Sequence, residues 1–139
     1  MASVVDANLL IVLASGDPRA SAAEALIDRW IESGEVVHAP ALLPYEVANG
    51  LTRLMAAGLL PAERLPEAWR TAMALPITFH FPEHDGDQVA ALGARLGRHS
   101  AYDAAYLLLA EELGAELWTL DGPLARNARG LGYTVHLVT

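Results

Sequence analysis

The chain has 139 residues, 53% hydrophobic and 19% charged, a balance that excludes a disordered chain and suffices to bury a real core. It has no cysteine, which removes disulfides, zinc thiolate sites and cysteine nucleophiles. The formal net charge is −8 and all nine basic residues are arginine, so bulk charge does not favour nonspecific nucleic-acid binding. Arginines can still form a local phosphate-binding rim, and an acidic surface suits a basic protein partner.

One domain spanning residues 1–139 fits this length. The chain opens on a strand, Val4 to Asp6. Leu9 to Ala14, followed by Ser15-Gly16, superficially resembles a secretory leader. No basic residue precedes it and Asp6 interrupts it, so it reads as a strand running into a helix in a cytoplasmic protein. No apolar run approaches the roughly 20 residues that span a bilayer.

The first helix is expected from about Ala7 to Ser15, stopped by Gly16 and Pro18. The second runs from about Arg19 to Glu32, with Ala23, Leu26, Ile27, Trp30 and Ile31 on one face and Gly34 beyond it. A strand follows from Glu35 to His38, then a helix from about Ala41 to Ala57. Leu43, Val47, Leu51, Leu54 and Met55 make its core stripe, and Glu46 lies beside that stripe. Pro61 introduces a helix from about Ala62 to Ala74, ended by Pro76. A strand from Ile77 to Phe81 and a helix from about Asp87 to Leu96 come next. Ser100 to Leu113 is the clearest helix, closed by Gly114. A strand from Glu116 to Leu120, a helix from Pro123 to Leu131 and a strand from Tyr133 to Val138 complete the chain. Gly58 to Pro66 and Pro82 to Asp87 read as surface turns. Strands alternating with helices predict an α/β fold with a central, mainly parallel sheet of about five strands.

Four carboxylates stand out against this pattern. Asp6 and Asp121 each close an apolar strand, where α/β proteins place their chemistry. Glu46 and Asp103 lie on apolar-rich helices. Gathered together they would repel one another unless a hard cation such as Mg²⁺ held them. Singly, each has an ordinary explanation. Asp6 and Asp121 suit helix N-caps, Ser100-x-x-Asp103 matches a capping box, and Glu46 could be a solvated helix residue. Tyr45 and Val47 weaken that last explanation, because the face around Glu46 looks buried.

Other polar residues are candidates for the surroundings of such a site. Asn8, two after Asp6, could bond to it or to a phosphate. Thr119 points the same way as Asp121 on a strand and could orient a ligand or a water. Arg98 and His99 could meet a phosphate at the rim. Arg126 and Arg129 share a helix face, which is more simply a solvated one. His38, His80, His84 and His136 lack metal-ligand spacing, and Tyr45, Tyr102 and Tyr106 read as packing residues.

Receiver domains and haloacid-dehalogenase-type phosphatases also set acids at strand ends. Both use a lysine, which this chain lacks, and Asp6-Ala7-Asn8 has no second aspartate. The words Val5-Asp6-Ala7-Asn8-Leu9-Leu10, Pro44-Tyr45-Glu46-Val47-Ala48-Asn49-Gly50-Leu51, Tyr102-Asp103-Ala104-Ala105-Tyr106 and Leu117-Trp118-Thr119-Leu120-Asp121, in that order, resemble the PilT N-terminus (PIN) domain. More narrowly, they resemble the VapC-type toxins of bacterial toxin–antitoxin pairs. One departure is Trp118, where a smaller aliphatic residue is more usual.

The resemblance implies a three-layer α/β/α fold and a metal-dependent endoribonuclease. Asp6, Glu46, Asp103 and Asp121 would be its catalytic residues, holding Mg²⁺ or Mn²⁺. Asp6 and Asp103 would be direct ligands, and Glu46 and Asp121 would act through water or on a second metal. It further implies a homodimer, inhibition by a cognate VapB-type antitoxin, and RNA products with a 3′-hydroxyl and a 5′-phosphate. Two other functions share these residues: an RNA- or antitoxin-binding module that does not cut, and a metal phosphohydrolase acting on small molecules.

Overall fold

The structure, a computed structural model, describes residues 1–81, 86–98 and 100–139. His84, His99 and most of the turn expected from Pro82 to Asp87 lie outside the described residues. Five strands, β1 (Ala2–Val5), β2 (Val36–Pro40), β3 (Thr78–His80), β4 (Glu116–Thr119) and β5 (Val135–Leu137), form one sheet in the order β3-β2-β1-β4-β5. Every neighbouring pair is parallel, as the alternation of strands and helices predicts. The chain lays down β1, β2 and β3 in one direction and then returns to the other side of β1 for β4. The order therefore switches between β1 and β4, the place where open parallel sheets form a crevice beyond their carboxyl ends. Val5 pairs with Trp118, and the Asp6 amide donates to the Trp118 carbonyl at 3.0 Å, so the two strand ends are level.

Ser3, Val4 and Val5 are all nearly or fully buried. Because successive strand side chains face opposite ways, both faces of β1 are covered, which makes the fold three-layered. Helices α1 (Ala7–Ile11), α2 (Ala20–Ser33), α3 (Leu43–Ala56), α4 (Leu65–Ala72), α5 (Gly86–Arg95), α6 (Tyr102–Leu113) and α7 (Gly122–Gly130) supply the covering layers. The buried side chains form one hydrophobic cluster. No helix among the described residues is long and apolar enough to cross a membrane.

Several boundaries differ from expectation for local reasons. The first helix tightens into a 3₁₀ turn at Val12–Ala14. The helix expected from Ala62 begins as a 3₁₀ turn, Ala62–Arg64, and α4 proper starts at Leu65 with proline in its first turn. On α2, Ala23, Leu26 and Trp30 are buried, but Ile31 is 59% exposed and stands off the core face. Trp118 is accommodated by other rings: Trp30 meets it edge-on at 5.8 Å and His136 stacks on it at 4.1 Å. Its indole nitrogen is buried without a hydrogen-bond partner among the described residues. Gly50 lets α3 lie against α1, since a Cβ there would come within 2.5 Å of the Ile11 side chain.

Candidate functional site

Asp6 occupies the N-cap position of α1, yet its carboxylate makes no capping bond. It turns instead toward β4, where the hydroxyl of Thr119 donates to Asp6 Oδ2 at 2.7 Å. The Asn8 amide donates to the same oxygen at 3.2 Å and to Thr119 Oγ1 at 3.1 Å. Asn8 also accepts from the Leu120 amide, and Thr119 Oγ1 accepts from the Asp121 amide at 3.0 Å. Thr119, fully buried, thus ties the end of β1 to the loop after β4. Among the described residues, Asp6 Oδ1 takes no hydrogen bond, which leaves it available to a cation.

Asp121 does cap its helix: Oδ1 accepts from the Leu124 amide at 3.0 Å. Its other oxygen accepts from Arg98 Nη2. Arg98 Nε donates to Asp103 Oδ2 at 2.8 Å, so one guanidinium bridges two of the four acids. The capping box that Ser100-x-x-Asp103 matches, the ordinary alternative for Asp103, does not form. Helix α6 starts after Ala101 rather than Ser100, and the Asp103 carboxylate is committed to Arg98. Glu46, in the first turn of α3, is half-buried and accepts from the Tyr106 hydroxyl at 2.5 Å. Tyr106 is almost wholly buried on α6, so this bond joins two helices across the site.

All four acids line one open cleft of about 690 Å³, together with Asn8, Tyr45, Asn49, Arg53 and Tyr102. Burial first, and then the charges of Asp103, Glu46 and Asp121, push the Asp6 carboxyl up to about 7, against the opposing bond from Thr119. Burial and the Asp103 charge also raise Glu46, against the bond from Tyr106. Burial works against the Arg98 charge, but its bonds to Asp103 and Asp121 hold its proton more tightly than usual. The donor set is all oxygen and its central acid is destabilised by its neighbours, which is the chemistry a hard divalent cation fits. Among the described residues no three Asp, Glu or His side chains are arranged to hold a metal as they stand. Arg98, reaching two of the four, serves as the cation in this arrangement.

Arg129 and the described histidines fall elsewhere. Arg129 uses Nε and Nη2 to bind the Val135 carbonyl, so it fastens α7 to β5 rather than solvating a face. His38 and His80, on neighbouring strands, lie 2.8 Å apart from Nδ1 to Nε2, and His136 bonds to Glu116. Tyr106 packs as expected, but Tyr45 is 79% exposed and Tyr102 58% exposed, so neither is a packing residue. The face around Glu46 is correspondingly more open than Tyr45 suggested. Sequence reasoning missed Asn49 and Arg53 as cleft residues. Their spacing of four from Tyr45 along α3 is the signal that could have found them. Tyr106, three residues after Asp103, carried a similar one.

A model of the PIN domain matches residues 3–130 of the chain. The ribonuclease VapC3 of Pyrobaculum aerophilum is 35% identical over 131 residues, covering 91% of this chain and 95% of the relative. The ribonuclease VapC3 of Mycobacterium tuberculosis is 33% identical over 124 residues, covering 88% and 85%. Among solved structures, PAE2754 from Pyrobaculum aerophilum superposes with a TM-score of 0.71 at 23% identity, covering 99% of this chain and 84% of that one. At that identity the likeness supports the fold alone.

Proposed function

The chain belongs to the PIN-domain family, and from that premise we propose that it is a metal-dependent endoribonuclease, the toxin of a toxin–antitoxin pair. The observation that carries the proposal is the convergence of Asp6, Glu46, Asp103 and Asp121 on one cleft at the switch point of the sheet. Those four residues would hold Mg²⁺ or Mn²⁺, with Asp6 and Asp103 as direct ligands. A cation bound there supplies an acidified water and offsets the negative charge that builds on the phosphate.

The chain's own residues do the rest. Thr119 and Asn8 hold Asp6 Oδ2, which leaves Oδ1 without a hydrogen bond among the described residues. Tyr106 fixes one oxygen of Glu46. Arg98 neutralises Asp103 and Asp121 in the metal-free chain, and its donors would be free for the substrate phosphate if a cation held those carboxylates. As a VapC-type protein the chain would act in the cytoplasm as a homodimer of one-domain protomers, held inactive by a VapB-type antitoxin.

The bridging of Asp103 and Asp121 by Arg98 favours a second reading, a binding module whose site is closed by its own arginine. Purified protein incubated with total RNA and, separately, with a small phosphate ester distinguishes the readings. The nuclease predicts discrete RNA fragments with 5′-phosphate ends, abolished by EDTA, and no turnover of the ester. Intact RNA under every metal tested would leave the binding module, and ester turnover alone would leave the small-molecule hydrolase.

A further inference from the structure

Away from the acids, the sheet brings two histidines together that are 42 positions apart in the chain, His38 on β2 and His80 on β3. Pro40 pairs with His80 and His38 with Thr78, so both imidazoles stand on one face of the sheet. His38 Nδ1 and His80 Nε2 lie 2.8 Å apart, and the ring centroids lie 5.0 Å apart. Among the described residues neither ring has another hydrogen-bond partner, and neither lines the acidic cleft. The backbone beneath them is fixed, because the Ala41 amide donates to the His80 carbonyl at 2.8 Å. Val4 and Thr78 flank His38 in the sheet and bring it no charge. A largely apolar cavity of about 140 Å³ opens beside His80, and Glu112 on α6 is the other titratable group among the described residues that line it.

We propose that His38 Nδ1 and His80 Nε2 together hold one divalent cation of the imidazole-preferring class, Zn²⁺, Ni²⁺ or Cu²⁺, at the β2–β3 edge of the sheet. Two nitrogens at about 2.0–2.1 Å from one metal lie about 2.9 Å apart at a right angle and about 3.3 Å apart at a tetrahedral one. From 2.8 Å the rings need only a small turn to aim both lone pairs at one point. In the metal-free chain one nitrogen donates its proton to the other; the cation takes the place of that proton, which passes to solvent. Burial, and then the neighbouring His80, hold His38 below its ordinary value, so at neutral pH it is in the uncharged form that binds metals. Mg²⁺ takes oxygen ligands and keeps its waters, so the histidine pair and the four acids select different cations. A cation held by the pair clamps β3, a three-residue strand at the edge of the sheet, to β2.

The test titrates the full chain with Ni²⁺ by calorimetry in excess Mg²⁺, which saturates sites that accept hard cations. One Ni²⁺ should bind per chain, and His38→Gln and His80→Gln should each weaken it by at least about tenfold. His136→Gln should bind as the parent does, since that ring bonds to Glu116 near the opposite edge of the sheet. Affinity should fall by roughly tenfold or more from about pH 7.5 to about pH 5.5, because protons compete for both nitrogens. Cu²⁺ bound to the parent should show hyperfine splitting from two nitrogen ligands in its EPR spectrum, a readout that needs no variant to fold. No Ni²⁺ binding by the parent, or equal binding by the parent and by folded glutamine variants, would overturn the proposal and leave the pair as a hydrogen bond between strands. Affinity indifferent to pH, or a single nitrogen in the EPR spectrum, would overturn it as well, because carboxylates or one histidine would then suffice. None of these readouts involves RNA, so the outcome stands apart from the ribonuclease reading.

Discussion

Asp6 keeps its proton to about pH 7 because it is buried and faces three other acids, and this has a consequence for stability. Its ordinary value is 3.8, so between that value and about 7 the unfolded chain gives up the proton before the folded chain does. The metal-free fold therefore loses stability as pH rises through this window, and the full penalty is present above it. Asp6→Asn removes the penalty. The variant should be more stable than the parent by roughly 2–4 kcal/mol above about pH 7, with the gap closing toward pH 4. Urea unfolding of the two proteins in EDTA across this range checks it, and a gap independent of pH would contradict it. Arg98 invites a second substitution. It occupies Oδ2 of both Asp103 and Asp121, and a cation must displace it to use those two oxygens. Arg98→Gln should therefore bind Mn²⁺ about tenfold more tightly and be about 1 kcal/mol less stable without metal. Calorimetric titration reads the first effect, and weaker Mn²⁺ binding would show that Arg98 supports the site rather than competes for it.

At the level of elements, the helix ends were legible because their chemistry is local. Gly34 and Gly114 close α2 and α6 in left-handed conformation, where only glycine is unstrained. The strand ends were legible too, and with them Asp6 and Asp121, since an acid after an apolar run needs no tertiary information to be noticed. What the sequence could not disclose were the pairings. The bonds from Tyr106 to Glu46 and from Arg98 to Asp121 join different elements, and no local pattern encodes them. The capping box that Ser100-x-x-Asp103 offered as the ordinary alternative is absent for the same reason, because Asp103 Oδ2 accepts from Arg98 instead. Tyr45 misled because burial on a helix face depends on whether a neighbour closes over it, and there the cleft is open. The approach of α1 to α3 carries a prediction of its own. Gly50→Ala gains about 1 kcal/mol of helix propensity but drives a methyl into Ile11, and overpacking of this kind costs about 1–3 kcal/mol. The net effect should be a loss of roughly 1 kcal/mol in chemical denaturation, and a gain would show that Ile11 moves aside freely.

For the whole molecule, a net charge of −8 and four acids in one cleft set up a negative field that the proposed divalent cation would offset. A cation that binds the folded state alone stabilises it by mass action, and about a hundredfold excess over Kd contributes about 2.7 kcal/mol. Mn²⁺ should raise the thermal midpoint by roughly 5–15 °C, EDTA should reverse the rise, and Asp103→Asn should blunt it. An equal rise with Na⁺ at matched ionic strength would reduce the effect to screening. The most direct measurement is single-turnover cleavage of one defined single-stranded RNA as Mn²⁺ is increased, for the parent and for Asp6→Asn. A rate that saturates with Mn²⁺, falls to background in EDTA and drops at least a hundredfold in Asp6→Asn is the expected result. A rate indifferent to EDTA, or unchanged in Asp6→Asn, would contradict the assignment of these acids as the centre of a ribonuclease.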